Sequence, residues 1–338
     1  MTDLGAHSGI IKGSSLGTAK SAVTITVSTV LLFVVSAVVA PSSVSGGVIL
    51  GMLPFAAVLA IVGLGQMLVV QQGGIDLSVP GAVSLAIVIV SHEPDGVDSR
   101  LPAAVLLAVG YAIGAGLLNA FLVGRLGLNS IIATLGTNAL LYGAVLGISN
   151  GIPRSTTRLL SRIAADQTIG VPNSVYFALV ALIVAMVVVK KTVAGRRFEA
   201  IGANPVTSRA VGLRVKLHHG AAFVWAQLLY CLAGVLLAGI TAQPTAFQGN
   251  AYLLPAVAVV VLGGTSLLGG RGFPASTVIA ALFLSQLDQF VLALGVPVAV
   301  QTLVQAAALA GGVALYTVNW VALRARLIWK PRAVPTTG

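Results

Sequence analysis

Long apolar runs alternate with short polar breaks along this chain, and several runs approach the ~20 residues that a helix needs to cross hydrocarbon. None keeps the sustained two-residue alternation of a membrane-spanning strand. The pattern predicts an all-α integral membrane protein, a polytopic bundle of about ten transmembrane helices with broken or re-entrant segments. The spans fall at about 22–40, 48–71, 79–91, 101–123, 130–148, 175–189, 221–240, 251–262, 273–293 and 298–318. The second is interrupted by Pro54, Gly63 and Gly65. After it, QQGGIDLSVPG at 71–81 places Gly73, Gly74, Asp76 and Pro80 where a continuous helix is not expected, so the third span reads as a half-helix leaning on that break.

The eighth span dissolves into GGTSLLGGRG at 263–272, beginning with Gly263 and Gly264. GGIDL at 73–77 and GGTSL at 263–267 each follow one apolar run and precede another. The echo is either chance in a glycine-rich chain or a pair of broken helices in two halves, an arrangement that marks transport paths.

Composition excludes a soluble protein: 57% of residues are hydrophobic, 8% are charged, and the mean hydropathy is +1.01. The net charge of +11 would suggest nucleic acid in a soluble protein, but here topology accounts for it without any nucleic-acid partner. With ten crossings and the N-terminus inside, fifteen of the nineteen Lys and Arg residues face one side. The largest group is Lys190, Lys191, Arg196, Arg197, Arg209, Arg214 and Lys216, in the loop 190–216. Arg100, Arg154, Arg158 and Arg162 face the other side with Glu93, Asp95, Asp98 and Asp166. The asymmetry predicts both termini cytoplasmic in a multi-pass cell (inner) membrane protein. The divisions are a tail over 1–21, one transmembrane domain over 22–318 and a basic tail over 319–338. Cys231 is the single cysteine and forms no intrachain disulfide. The first apolar run has no clear cleavage site and reads as a retained helix.

No enzyme signature stands out. There is no GxxxxGK[ST] loop, no HExxH, no CxxC pair and no dinucleotide-binding unit, and His7, His92, His218 and His219 fall in loops or at helix ends. This chain is expected to bind no cofactor or metal and to catalyse no covalent step.

Asp76 is the sharpest single residue, because an aspartate in mid-membrane costs about 2.5–3.5 kcal/mol on insertion scales. It either lines a pathway or caps the helix that follows through backbone N–H groups. Asp288 on the ninth span, near Gln286 and Gln289, marks either a polar outer vestibule or simple interfacial placement. Asn119, Asn129, Thr134, Thr137 and Asn138 form a second polar set around the fourth and fifth spans. Their amides and hydroxyls suit a neutral polyhydroxylated solute, or else hydrogen-bond between helices.

The basic loop carries its own helix signal. In FEAIGANPVTSRAVGL, Asn204 can cap a helix with Pro205 in its first turn, and Gly212 can end it after about two turns. A helix that short is unstable alone in water, so it wants a partner surface.

Four segments carry a resemblance: GGIDLS at 73–78, NSIIATLGT at 129–137, GRRFEAIGANP at 195–205 and VVLGGTSLLGGRG at 260–272. In that order they resemble the permease subunits of ribose-type simple-sugar ABC importers, which are related to branched-chain amino acid ABC permeases. The resemblance implies pairing with a second permease, identical or not, delivery of solute by an extracytoplasmic binding protein, and drive from a cytoplasmic ATPase dimer that binds ATP and Mg. It makes Arg196, Glu199, Gly202, Asn204, Pro205, Arg209 and Gly212 coupling positions for the ATPase. The chain departs from the pattern at Val206–Arg209, where the family has an acidic residue and alanines, at Leu253–Pro255, where it has a Tyr–Glu–Leu–Asp-like stretch, and at Pro80, where it has glycine.

The expected function is therefore import of a small neutral solute, a monosaccharide or polyol, by an ATP-driven system. Branched-chain amino acids, nucleosides or a signalling sugar are alternative cargoes. An ion-coupled secondary transporter, with Asp76 or Asp288 as its ion site, is the alternative of another class. An enzyme is disfavoured by the shortage of convergent titratable groups.

Overall fold

The computed structural model describes residues 13–297 and scattered positions between 299 and 311. Twelve α-helices are found among them: α1 (Gly13–Val39), α2 (Gly46–Gln71), α3 (Val79–His92), α4 (Leu101–Asn119), α5 (Ser130–Ser149), α6 (Arg158–Ala165), α7 (Asn173–Met186), α8 (Val193–Ala203), α9 (Pro205–Ala210), α10 (Val215–Thr241), α11 (Leu253–Leu262) and α12 (Pro274–Ala293). A small antiparallel hairpin, β1 (Gln167–Thr168) and β2 (Val171–Pro172), pairs Gln167 with Pro172. Seven helical segments are long and apolar enough to cross a membrane, and α3 and α11 are shorter apolar helices. The chain is a multi-pass, all-α membrane protein. The tenth expected span, at about 298–318, lies largely outside the described residues.

At the centre, α10 packs on α2, α3 and α4, while α1, α5 and α7 leave apolar faces exposed to what would be lipid. Every residue of α3 from Val79 to Ser91 is buried, as its almost wholly apolar composition demands. The expected interruption of the second span does not occur, because α2 runs unbroken through Pro54, Gly63 and Gly65. Its glycines serve close approach instead. A β-carbon on Gly63 would come 2.6 Å from Val259 Cγ2, and one on Gly65 would come 2.6 Å from Tyr230 Cε1.

The same logic joins α4 to α10. Gly116 meets the Val224 backbone, Ala120 meets Gly220, and Gly124 meets the Lys216 carbonyl, so three successive turns of small residues form an antiparallel seam. At its end α4 passes into a π-helical turn, Ala120–Arg125.

Both breaks in the bundle are built alike. At the end of α2, Gly73 adopts φ +78°, with Gly73 N–H bonded to Val70 O and Gly74 N–H to Val69 O. At the end of α11, Gly264 adopts φ +81°, with Gly264 N–H bonded to Val261 O and Thr265 N–H to Val260 O. These are Schellman-type helix ends that need a left-handed residue, which glycine supplies without a β-carbon clash. Gly73 is thus the structural equivalent of Gly264, so the equivalence sits one residue away from the sequence echo, which pairs Gly73 with Gly263.

The start of α3 meets the turn that leads into α11. Gly249 N–H bonds Ser84 Oγ at 3.1 Å, and a β-carbon on Gly249 would lie 2.2 Å from Pro80 O. Two short helices therefore begin against each other inside the bundle and run toward opposite ends. One end carries α8 and α9, the basic end. The other carries α6 and the hairpin, where Asp95 pairs with Arg154, Asp98 accepts from Leu159 N–H at 3.0 Å, and the His92 ring meets Ile152 O at 3.1 Å.

Candidate functional site

The extended segment between α2 and α3 crosses the bundle interior with its peptide groups outside any helix, so side chains must satisfy them. Four from α5 do so. Ser130 Oγ accepts from Ile75 N–H at 3.2 Å, Thr134 Oγ1 from Leu77 N–H at 2.9 Å, and Asn138 Oδ1 from Gly81 N–H at 2.8 Å. Thr137, one turn along, donates to Asn119 Oδ1 of α4 at 2.6 Å, and Asn119 Nδ2 donates to Ser78 Oγ at 3.3 Å.

Asp76 sits at the centre of this cluster and is wholly buried. Its Oδ1 accepts from both the N–H (2.8 Å) and the hydroxyl of Ser78, and Gln227 Nε2 of α10 reaches its Oδ2 at 3.4 Å and Ser78 Oγ at 2.6 Å. Asp76 thus holds Ser78, the residue preceding α3, rather than bonding N–H groups within the helix. With its amide oriented to suit its neighbours, Gln66 of α2 brackets the Asp76 backbone. It donates to Asp76 O and accepts from Asp76 N–H, each at 3.2 Å, and meets Tyr230 Oη at 2.9 Å.

The cluster joins Asp76 to Asn119, Thr134, Thr137 and Asn138, two sets that the sequence offered separately. Asn129 stands apart: it is exposed, and its Oδ1 caps α5 by accepting from Ile131 N–H at 2.9 Å. Asp288 is half-buried on α12, which packs on α1 and α2, whereas the cluster is made by α2, α4, α5 and α10. Gln66, Gln227 and Tyr230 join the cluster although the pattern of apolar runs does not single them out. A lone glutamine in an apolar span was the available signal, since burying one demands a partner.

At the basic end, Thr192 caps α8 by accepting from Gly195 N–H at 3.0 Å, and Gly195 lies against the carbonyls of Val188 and Val189. Asn204 caps α9, its Oδ1 accepting from Thr207 N–H at 3.0 Å, with Pro205 in the first turn. Gly212 follows at φ +83°. On this surface Arg196, Asn204 and Arg209 are exposed, together with Val206 at 79% and Val211 at 71%. Glu199 is turned partly inward to Lys190 Nζ at 3.4 Å, and that ammonium also lies over the Phe273 ring, 5.3 Å from its centre.

Surface helices and broken segment meet directly. Gln72 Nε2 donates to Phe198 O of α8 at 2.8 Å, and Gly270 N–H donates to Gln71 O at 2.8 Å. Gln71 Nε2 returns a bond to Gly270 O at 3.1 Å. Gly202 is buried in this junction, and Gly269, at φ +90°, would carry a β-carbon 2.5 Å from Gly202 O. Both broken segments, 72–78 and 263–272, therefore seat on the end of α8, which leads directly into α9.

Residues 48–311 match the family model described as branched-chain amino acid transport system / permease component. A probable ABC transporter permease of Sinorhizobium fredii is 33% identical over 270 residues, covering 79% of this chain and 80% of that protein. The ribose import permease of Escherichia coli (strain K12) is 35% identical over 260 residues, or 73% and 78% of the two chains. A D-allose transport system permease from the same strain is 31% identical over 236 residues, or 69% and 72%. No solved structure matches.

Proposed function

The chain belongs to the family of branched-chain amino acid transport system permease components, and on that premise we propose that it is the membrane-spanning permease of an ATP-driven importer for a small neutral solute, a monosaccharide or polyol. The relatives named for ribose and D-allose transport support a sugar as cargo. So do the amides and hydroxyls at Asn119, Thr137 and Asn138 beside Asp76, which suit a polyhydroxylated molecule.

In this reading the chain carries out no covalent chemistry and binds no nucleotide. ATP and Mg bind a partner ATPase dimer at the cytoplasmic face of the inner membrane, the side on which both termini of this chain lie. A second permease subunit completes the path, and an extracytoplasmic binding protein delivers the solute. The α9 surface, with Asn204, Val206 and Arg209 exposed, docks on the ATPase.

The observation that carries the proposal is the seating of Gly202 and Phe198 on Gln71 and Gln72. A displacement of α8 and α9 by the ATPases is passed as a rigid-body shift to the segment 72–78, and so to the bonds around Asp76 and Ser78. Amides and hydroxyls now bonded to the break then become available to solute.

Co-purification with an ATPase, followed by solute uptake into proteoliposomes that needs ATP and is blocked by vanadate, tests the proposal. Uptake that ignores ATP but collapses with the proton gradient would sink it.

A further inference from the structure

Beside the α4–α10 seam, on the outer surface of the bundle, lies a concavity of about 880 Å³. One end is ringed by four cations, Arg125, Arg209, Arg214 and Lys216. The remainder is apolar, walled by Leu117, Phe121, Trp225 and Leu228, with Trp225 59% exposed. No acidic residue lines it, and none of the four cations takes part in either ion pair found among the described residues.

We propose that this groove is a binding site for an anionic phospholipid, with the headgroup phosphate on the four cations and an acyl chain along Phe121 and Trp225. Three features fit. From Lys216 to Leu228 the groove follows twelve residues of α10, about 18 Å at 1.5 Å per residue, a little more than half of the ~30 Å hydrocarbon core and so the depth of one leaflet. Charge sits at one end only, as in a single lipid with one polar head. Basic pockets between transmembrane helices select anionic headgroups.

The shape of the groove follows from the sequence beside it. Small residues at Gly116, Ala120, Gly124 and Gly220 draw α4 and α10 into backbone contact, so the larger side chains flanking the seam stand away from a narrow floor. A second copy of the chain is a poorer occupant, because a two-fold contact here would bring four uncompensated cations toward four more. The inference holds whatever the solute. It also ties Arg209 of α9 to lipid, so membrane composition would bias the position of that helix.

Trp225 provides the readout. With Trp320→Phe and Trp329→Phe, it is the sole tryptophan of the full chain. The chain is reconstituted in phosphatidylcholine liposomes containing a minor fraction of phosphatidylglycerol with brominated acyl chains, or the same fraction of brominated phosphatidylcholine. The expected result is severalfold stronger quenching of Trp225 by the anionic lipid, reduced to parity by Arg125→Gln, Arg214→Gln and Lys216→Gln together. Unchanged quenching by brominated phosphatidylcholine and unchanged helical circular dichroism show that this variant is folded. Equal quenching by the two lipids in the parent would mean bulk bilayer contact only and overturns the proposal. Absence of quenching by either would mean a protein covers the groove and overturns it equally.

Discussion

Gly202 on α8 and Gln71 at the end of α2 are in backbone contact: a β-carbon on Gly202 would lie 2.0 Å from Gln71 O, an atom already bonded to Gly270 N–H. There is no side chain to turn aside, so one backbone must move. Gly202→Ala is therefore expected to lower the melting temperature, with overpacking costing about 1–3 kcal/mol, and to remove most ATP-driven uptake. Wild-type values of both would show that the junction yields freely.

Asn204→Ala removes the cap of α9, worth about 1 kcal/mol in a short helix. Binding to the purified ATPase should weaken, while Asn204→Asp, which still accepts from Thr207 N–H, should retain it. Equal binding by both variants would separate the cap from docking.

Glu199→Arg combined with Gly212→Trp replaces the partner of Lys190 with a like charge and puts a bulky residue at φ +83°. ATP-driven transport should be lost while the chain still inserts. If transport persists, the assignment of 190–216 as the coupling element is wrong.

Asp76 divides the two transport classes. In Asp76→Asn an amide oxygen still accepts from Ser78 N–H, so ATP-driven uptake should continue within a few-fold of wild type. Asp76→Leu leaves the buried Ser78 N–H and Gln227 amide without that partner, at about 1–3 kcal/mol per orphaned group, and should lower thermal stability. Gradient-driven flux without an ATPase, abolished by Asp76→Asn, would identify an ion site instead.

Sidedness is open to thiol labelling. In a Cys231→Ser background, Val206→Cys on α9 should react only from the cytoplasm, and Ile169→Cys, 92% exposed in the hairpin turn, only from outside. The reverse pattern would invert the topology.

Apolar length and glycine position made the spans, the break after Gln71 and the cap at Asn204 legible in the sequence. These features are local, set by hydrophobic run length and by turn chemistry within a few residues. The α8 helix was not legible: GRRFEAIGA has two glycines and no strong periodicity, and it is held as a helix by the Thr192 cap and by backbone contacts at Gly195 and Gly202. The polar cluster was half legible. Asn119, Thr134, Thr137 and Asn138 stood out singly, but their joint attachment to one segment depends on packing across 41 to 57 residues. The two glycine pairs echoed for a real reason, yet their register was misread because the left-handed residue, rather than the first glycine, defines equivalence.

The broken segment also constrains how the protein can be made. Ser78 is bonded to Gln227, 149 residues further along the chain, and Gly249, which seats on the start of α3, comes later still. While the ribosome is still synthesising the middle of the protein, α2 and α3 are already in or near the bilayer with their connecting peptide groups incompletely matched. The 14-residue α3, too short to span on its own, has to wait in a provisional position until α10 arrives. The heart of the bundle is thus completed by its later-synthesised helices, and a chain truncated before α10 cannot close it.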